Sequence, residues 1–177
     1  NRFTTKNKLR IIGNGSSNGI DTSYFDSELF SSLENNTLKS ELGVEINDFV
    51  FIFVGRVVSD KGINELVEAF DRFCILEQDI KLLIVGPLED ELDPLNKQTK
   101  LLINNNDKII LAGYQNDVRP YFAISDSLVF PSYREGFPNV VMQAGAMGLP
   151  SIVSDINGCN EIIVNNASKI TRQNTPS

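Results

Sequence analysis

The run Phe49-Val50-Phe51-Ile52-Phe53-Val54 limits more than any other feature what this chain can become. Six consecutive apolar residues, all β-branched or aromatic, leave no polar face, so they fit a strand covered on both sides. The period then changes. Ile63, Leu66, Val67, Phe70 and Phe73 recur at the spacing of one helical face, with Asp60 or a neighbour available as a cap. The alternation continues with a strand over 81–85, a helix over 89–104, a strand over 108–112 and a short helix over 116–124 with Pro120 in its first turns. It ends with a strand over 127–130, a helix over 139–147 stopped by Gly148 and a strand over 151–154. Repeated strand-helix units with apolar strands predict an α/β architecture, a doubly wound parallel sheet with helices on both faces. Ligands of such sheets lie outside the carboxyl ends of the strands.

A chain of 177 residues with 41% hydrophobic and 22% charged residues suits one soluble domain with its own core. Its sequence has no histidine, which removes Ser-His-Asp and Cys-His catalysis and His-ligated zinc. A net charge of −7 argues against a nucleic-acid partner, because phosphate-backbone affinity rests on basic patches. A small phosphorylated ligand remains open, since two or three cations suffice for it. Cys74 and Cys159 form no CxxC pair and suggest reduced thiols in a cytosolic setting. The longest apolar run is far short of the roughly 20 residues that span a bilayer, and the N-terminus has no signal-peptide pattern. A short strand over 10–12 leads into a loop over 13–19 rich in Gly, Asn and Ser. The expected organisation is therefore an entry strand and loop over 1–22, the main domain over 23–164, and a frayed polar tail over 165–177.

Two strand ends concentrate unusual residues. Gly55-Arg56 follows the first strand and Lys61-Gly62 begins the next helix. The glycine permits close backbone approach, and the two cations can converge on one anion beside a helix N-terminus, as a diphosphate clamp would. Two solvated cations beside a turn glycine fit the same residues. After Phe130 comes Pro131-Ser132-Tyr133-Arg134-Glu135-Gly136-Phe137-Pro138-Asn139-Val140. Here Asn139 can cap a helix whose first turn aims N–H groups into a cleft, and Gly136 allows close contact with a ligand. Glu135 and Gln143 lie about two helical turns apart, so both could reach one polyhydroxylated ligand. A capped helix packed tightly on the sheet is the competing explanation.

Taken in order, Gly55-Arg56 with Lys61-Gly62, Pro131-Ser132, Glu135-Gly136-Phe137-Pro138, Ala144, Ala146-Met147, Gly148-Leu149-Pro150 and Gly158 with Glu161 form a recognisable series. Asn18-Gly19-Ile20-Asp21 with Phe25 adds to it. With these motifs the chain resembles the C-terminal, donor-binding half of a GT-B glycosyltransferase of the large retaining family called family four, of the capsular and surface polysaccharide type. The resemblance implies a Rossmann-like domain that binds a nucleotide sugar. Arg56 and Lys61 would hold the diphosphate and stabilise it as leaving group, while Glu135 would face the sugar hydroxyls. Gly55 and the backbone of Gly136, Phe137, Pro138, Asn139 and Val140 would line the donor site. Gln143 departs from the family, which has a ribose-binding glutamate there, and its amide would bond ribose more weakly. Tyr114, after the strand over 108–112, is a candidate to pack against the base or equally a core aromatic. Asp155 and Glu161 flank a turn that reads best as a helix cap.

The implied function is the donor-binding domain of a retaining hexosyltransferase in surface or capsular polysaccharide synthesis. It would take a nucleotide sugar, UDP-linked by expectation, with no metal or other cofactor. An acceptor-binding N-terminal domain would be the partner it lacks, so the isolated chain would be inactive. The expected location is cytoplasmic, with the full-length protein able to sit at the inner face of the plasma membrane. The alternative is a non-catalytic fragment of a degenerate GT-B protein that binds only nucleotide or a partner. A GT-B-fold epimerase is disfavoured by the Glu-Gly-Phe-Pro block.

Overall fold

The computed structural model describes residues 19–89, 91, 93–163 and 169–171; the expected strand over 10–12 and nearly all of its loop lie outside them. Six strands form one sheet: β1 (Phe49–Val54), β2 (Ile80–Val85), β3 (Ile109–Gly113), β4 (Ser127–Phe130), β5 (Ser151–Ser154) and β6 (Lys169–Thr171). Their order is β3-β2-β1-β4-β5-β6, and all neighbours are parallel. The apolar run that dominates the sequence is the centre of this sheet. Val50, Ile52 and Phe53 of β1 are wholly buried, each worth about 1.5–3 kcal/mol of apolar transfer. Both edges of β1 are paired, with Phe49 opposite Ile80 through Val54 opposite Val85 on one side and Phe51 opposite Ser127 on the other. From β1 the chain proceeds outward through β2 and β3, then returns to build β4, β5 and β6 on the other side. The direction of winding thus reverses between β1 and β4, and the crevice beyond their carboxyl ends is where a doubly wound sheet takes its ligand.

The helices are α1 (Ser32–Glu41), α2 (Ile63–Phe73), α3 (Lys97–Asn105), α4 (Arg119–Ala123), α5 (Asn139–Ala146) and α6 (Cys159–Ile162). The expected face of α2 is buried at Ile63, Leu66, Val67 and Phe70, while Phe73 at its last turn is exposed. Neighbouring helices are α2 with α3, α1 with α4, and α5 with α6. Right-handed crossovers put α2 and α3 on one face of the sheet and α5 and α6 on the other. Beside α2, the side chains of Phe51, Phe70, Phe73, Val129 and Ile152 line an apolar groove of about 330 Å³. Among the described residues no helix is long and apolar enough to cross a membrane.

Several element boundaries differ from expectation. The helix placed over 89–104 is only α3, because Pro94 removes a donor and the Asn96 side chain caps the chain at Thr99 N, 2.7 Å away. The helix over 116–124 shortens to α4, with Pro120 in its first turn as anticipated. Unanticipated α1 starts from a capping box, in which Ser31 N donates to Glu34 Oε2 at 2.8 Å and Glu34 N donates to Ser31 Oγ at 3.3 Å. Within the tail expected to fray over 165–177, Lys169–Thr171 form β6, which pairs with β5 from Ile152 opposite Lys169 to Ser154 opposite Thr171; the rest of that tail lies outside the described residues.

Candidate functional site

The chain leaves β1 at Gly55, whose N–H donates to the Val85 carbonyl at 2.9 Å. It passes Arg56 and makes one 3-10 turn, Ser59–Lys61, before α2. The α2 cap is Gly62, not Asp60. Gly62 has φ 71° and ψ 23°, a left-handed conformation that strains a residue bearing a Cβ. A Cβ there would also lie 2.2 Å from the Pro131 carbonyl oxygen, so the α2 start and the loop after β4 touch backbone to backbone. Asp60 ties loops together instead. Its carboxylate accepts from Arg134 Nε at 3.1 Å, and its N–H donates to Asp93 Oδ2 at 2.5 Å.

Lys61 and Glu135, 74 positions apart in sequence, meet at this crevice as an ion pair through Nζ and Oε1. Their side chains are only 14% and 15% exposed, so each depends on the other for its charge balance. Arg56 is held differently. Its Nη1 donates to Glu89 Oε2 at 3.0 Å, and half of its side chain is open to solvent. The two cations expected to converge on one anion are therefore each paired with a separate carboxylate. Arg56 lines a polar cleft of about 570 Å³ with Ser59, Asp60, Tyr133 and Arg134. The Tyr133 hydroxyl bonds Glu65, which together with partial burial raises its pKa.

Asn139 does not cap α5. Pro138 occupies the cap position with φ −73° and ψ 111°, and no side chain bonds the first turn; proline's fixed φ presets the entry angle, leaving Asn139 as the exposed first helical residue. The first turn still carries N–H groups without partners inside the helix, beside Gly136 and Phe137. Gly136 is exposed, Phe137, Val140 and Gln143 are half-buried, and Pro138 is buried. Tyr114 is 68% exposed just past β3, which removes the core-aromatic alternative and leaves its ring free to meet a ligand. Gln115 turns back to donate to the Ala112 carbonyl at 2.7 Å. The turn before α6 is capped by the Gly158 backbone and not by a side chain; Asp155 Oδ1 accepts from Asn160 Nδ2. At the start of α6, Cys159 is wholly buried, and burial first, then the Glu135 carboxylate, pushes its thiol up to about 11, with Lys61 opposing.

Sequence reasoning singled out the two cations and Glu135 but not the partner of Arg56, Glu89, nor the groups that tie the neighbouring Asp60 and Glu65 in place. Glu89, Asp93, Tyr133 and Arg134 all act across loops that are remote in sequence. Arg134 had one available signal, its place next to Glu135 at a strand end; Glu89 and Asp93 had none, being assigned to a helix.

The profile of the family described as "Glycosyl transferases group 1" matches residues 34–175. The chain belongs to this family. This group 1 domain is 35% identical over 161 residues to the capsular polysaccharide biosynthesis glycosyltransferase CapM of Staphylococcus aureus, covering 90% of this chain and 40% of that protein. It is 36% identical over 165 residues to the UDP-Gal:alpha-D-GlcNAc-diphosphoundecaprenol alpha-1,3-galactosyltransferase of Escherichia coli, covering 89% of this chain and 39% of that one. The group 1 domain thus spans about two-fifths of the length of these relatives. Among solved structures, the C-terminal domain of the Francisella tularensis group 1 protein LpcC superposes with a TM-score of 0.72 at 21% identity, covering 87% of this chain and 80% of that one. The fold is that of the C-terminal half of a GT-B glycosyltransferase.

Proposed function

We propose that this group 1 domain binds the nucleotide-sugar donor of a retaining, metal-independent hexosyltransferase that builds a surface or capsular polysaccharide. The observation that carries the reading is the meeting of Lys61 and Glu135 at the β1/β4 crevice. A cation fixed there, with Arg56 on the same loop and the N-terminus of α5 opposite, suits a diphosphate that gains charge as its bond to the anomeric carbon breaks. Glu135 then exchanges part of its bond with Lys61 for sugar hydroxyls, and Tyr114 offers an exposed ring to the base. The relatives named for capsule and diphosphoundecaprenol-linked glycan synthesis support the polysaccharide assignment, and the UDP-Gal relative supports a UDP donor. Titration calorimetry with UDP, GDP, ADP, UDP-galactose and uridine, with and without EDTA, tests it. UDP and UDP-galactose should bind with or without chelator, and uridine far more weakly; absence of binding by every nucleoside diphosphate would overturn the reading.

Gln143 favours a second reading, a donor domain whose nucleotide affinity has decayed. Restoring a carboxylate with Gln143→Glu should tighten UDP binding by about 1 kcal/mol if the position meets ribose. A loss of thermal stability with no gain in affinity would show instead a carboxylate buried without partners.

A further inference from the structure

Gly158 is not among the proposed ligand contacts, yet it abuts the loop that carries Glu135. It is buried, with φ 81° and ψ −51°, immediately before α6. A Cβ there would stand 2.2 Å from the Gly136 carbonyl oxygen and 3.1 Å from the Phe137 Cα. Both neighbours are main chain, so neither can swing aside as a side-chain tip would. The loop after β4 is thus gripped at two points by glycine backbone, at Pro131 by Gly62 and at Gly136 by Gly158. A bond from Asn160 Nδ2 to Asp155 Oδ1 at 3.1 Å closes the outer turn that presents Gly158. We propose that Gly158 is a positioning residue of the donor site, setting where the Gly136-Phe137 main chain lies and therefore how Glu135 meets Lys61. This rests on the donor-site function proposed above. Sugar and diphosphate, which contact that loop, depend on Gly158; the nucleoside, held at the far side near β3, does not.

The test compares Gly158→Ala with Gly145→Ala, whose added methyl would have no atom within 4 Å. Amide hydrogen exchange should show protection over 133–141 reduced about tenfold in Gly158→Ala, with β1 and β2 unchanged and Gly145→Ala like the parent. UDP-galactose affinity should fall about tenfold, uridine affinity less than about twofold. Unchanged exchange over 133–141, a uniform loss across the sheet, or equal losses for UDP-galactose and uridine would each overturn the proposal. Should Gly158→Ala fail to fold, Asn160→Ala loosens the same turn from an exposed position without adding an atom. It should give the same local pattern at about twofold to threefold, and no change in exchange or affinity would count against Gly158. If the parent chain binds neither UDP nor UDP-galactose, the donor-site reading fails while the exchange pattern still decides whether Gly158 positions the loop.

Discussion

Lys61 and Arg56 look equivalent in the sequence, but their surroundings separate them. Lys61 is nearly enclosed and shares its charge with Glu135, whereas Arg56 is half open and rests on Glu89. Replacing either by Ala should weaken UDP by on the order of 1–3 kcal/mol through loss of a charge-assisted hydrogen bond, leaving uridine unaffected. Only Lys61→Ala should also lower the denaturation midpoint, because it strands Glu135 among buried neighbours. Equal loss for UDP and uridine would mark both residues as structural. Cys159 supplies a pH-dependent counterpart. Its thiol is held well above its ordinary value near 9, so folding favours the protonated form. That contribution is whole below about pH 9 and disappears as pH climbs toward about 11, where the folded thiol ionises too. The stability gap between the parent and Cys159→Ala, read from urea midpoints, should therefore narrow across this window; a constant gap would refute it.

At the level of elements, legibility followed hydrophobic contrast. The five strands β1 to β5 and helix α2 were readable because their apolar residues form runs or repeat with a clear period, and most of them are buried, with Phe49, Phe73 and Leu111 the exposed exceptions. Helix α1 was not, since none of its residues is buried and its sole signal is the Ser31/Glu34 box. That helix depends on its cap more than on packing, so Ser31→Ala should cost about 1 kcal/mol of global stability, measurable by chemical denaturation; no change would mean that α1 is held by contacts with α4 instead. The region 89–96 was misread because leucines and acidic residues there imitate a helix, whereas Pro94 and the bonds from Ser59 N and Asp60 N to Asp93 keep residues 93–96 out of α3. The same distinction applies to the site. Arg56, Lys61 and Glu135 could be found as strand-end residues, but the pairing of Lys61 with Glu135 rather than with Arg56's target arises only when β1 and β4 become neighbours.

On the scale of the whole molecule, the donor binding proposed for this domain is expected to be separable from transfer. Transfer requires an acceptor oxygen held within near-attack distance of the anomeric carbon, and such positioning supplies much of the rate. The described residues form one sheet, and the chain spans two-fifths of the length of its relatives. The isolated chain is expected to bind UDP-galactose but to show at most slow hydrolysis, with transfer appearing when an acceptor-binding domain is joined to it; efficient transfer by the 177-residue chain alone would sink this expectation. The position of β1 has another consequence, in time. Val50 N donates to Asp126 Oδ2, 76 positions later, so the second edge of the central strand stays open until the residues around Asp126 have been made. During that interval β1 presents its most apolar segment with unpaired backbone groups, an invitation to intermolecular pairing. Parallel pairing over such separations also belongs to slow folding, on the order of milliseconds to seconds. Stopped-flow dilution from urea should accordingly show refolding in that range with a yield that drops as protein concentration rises, whereas microsecond folding with concentration-independent yield would mean that the two halves of the sheet assemble without waiting for each other.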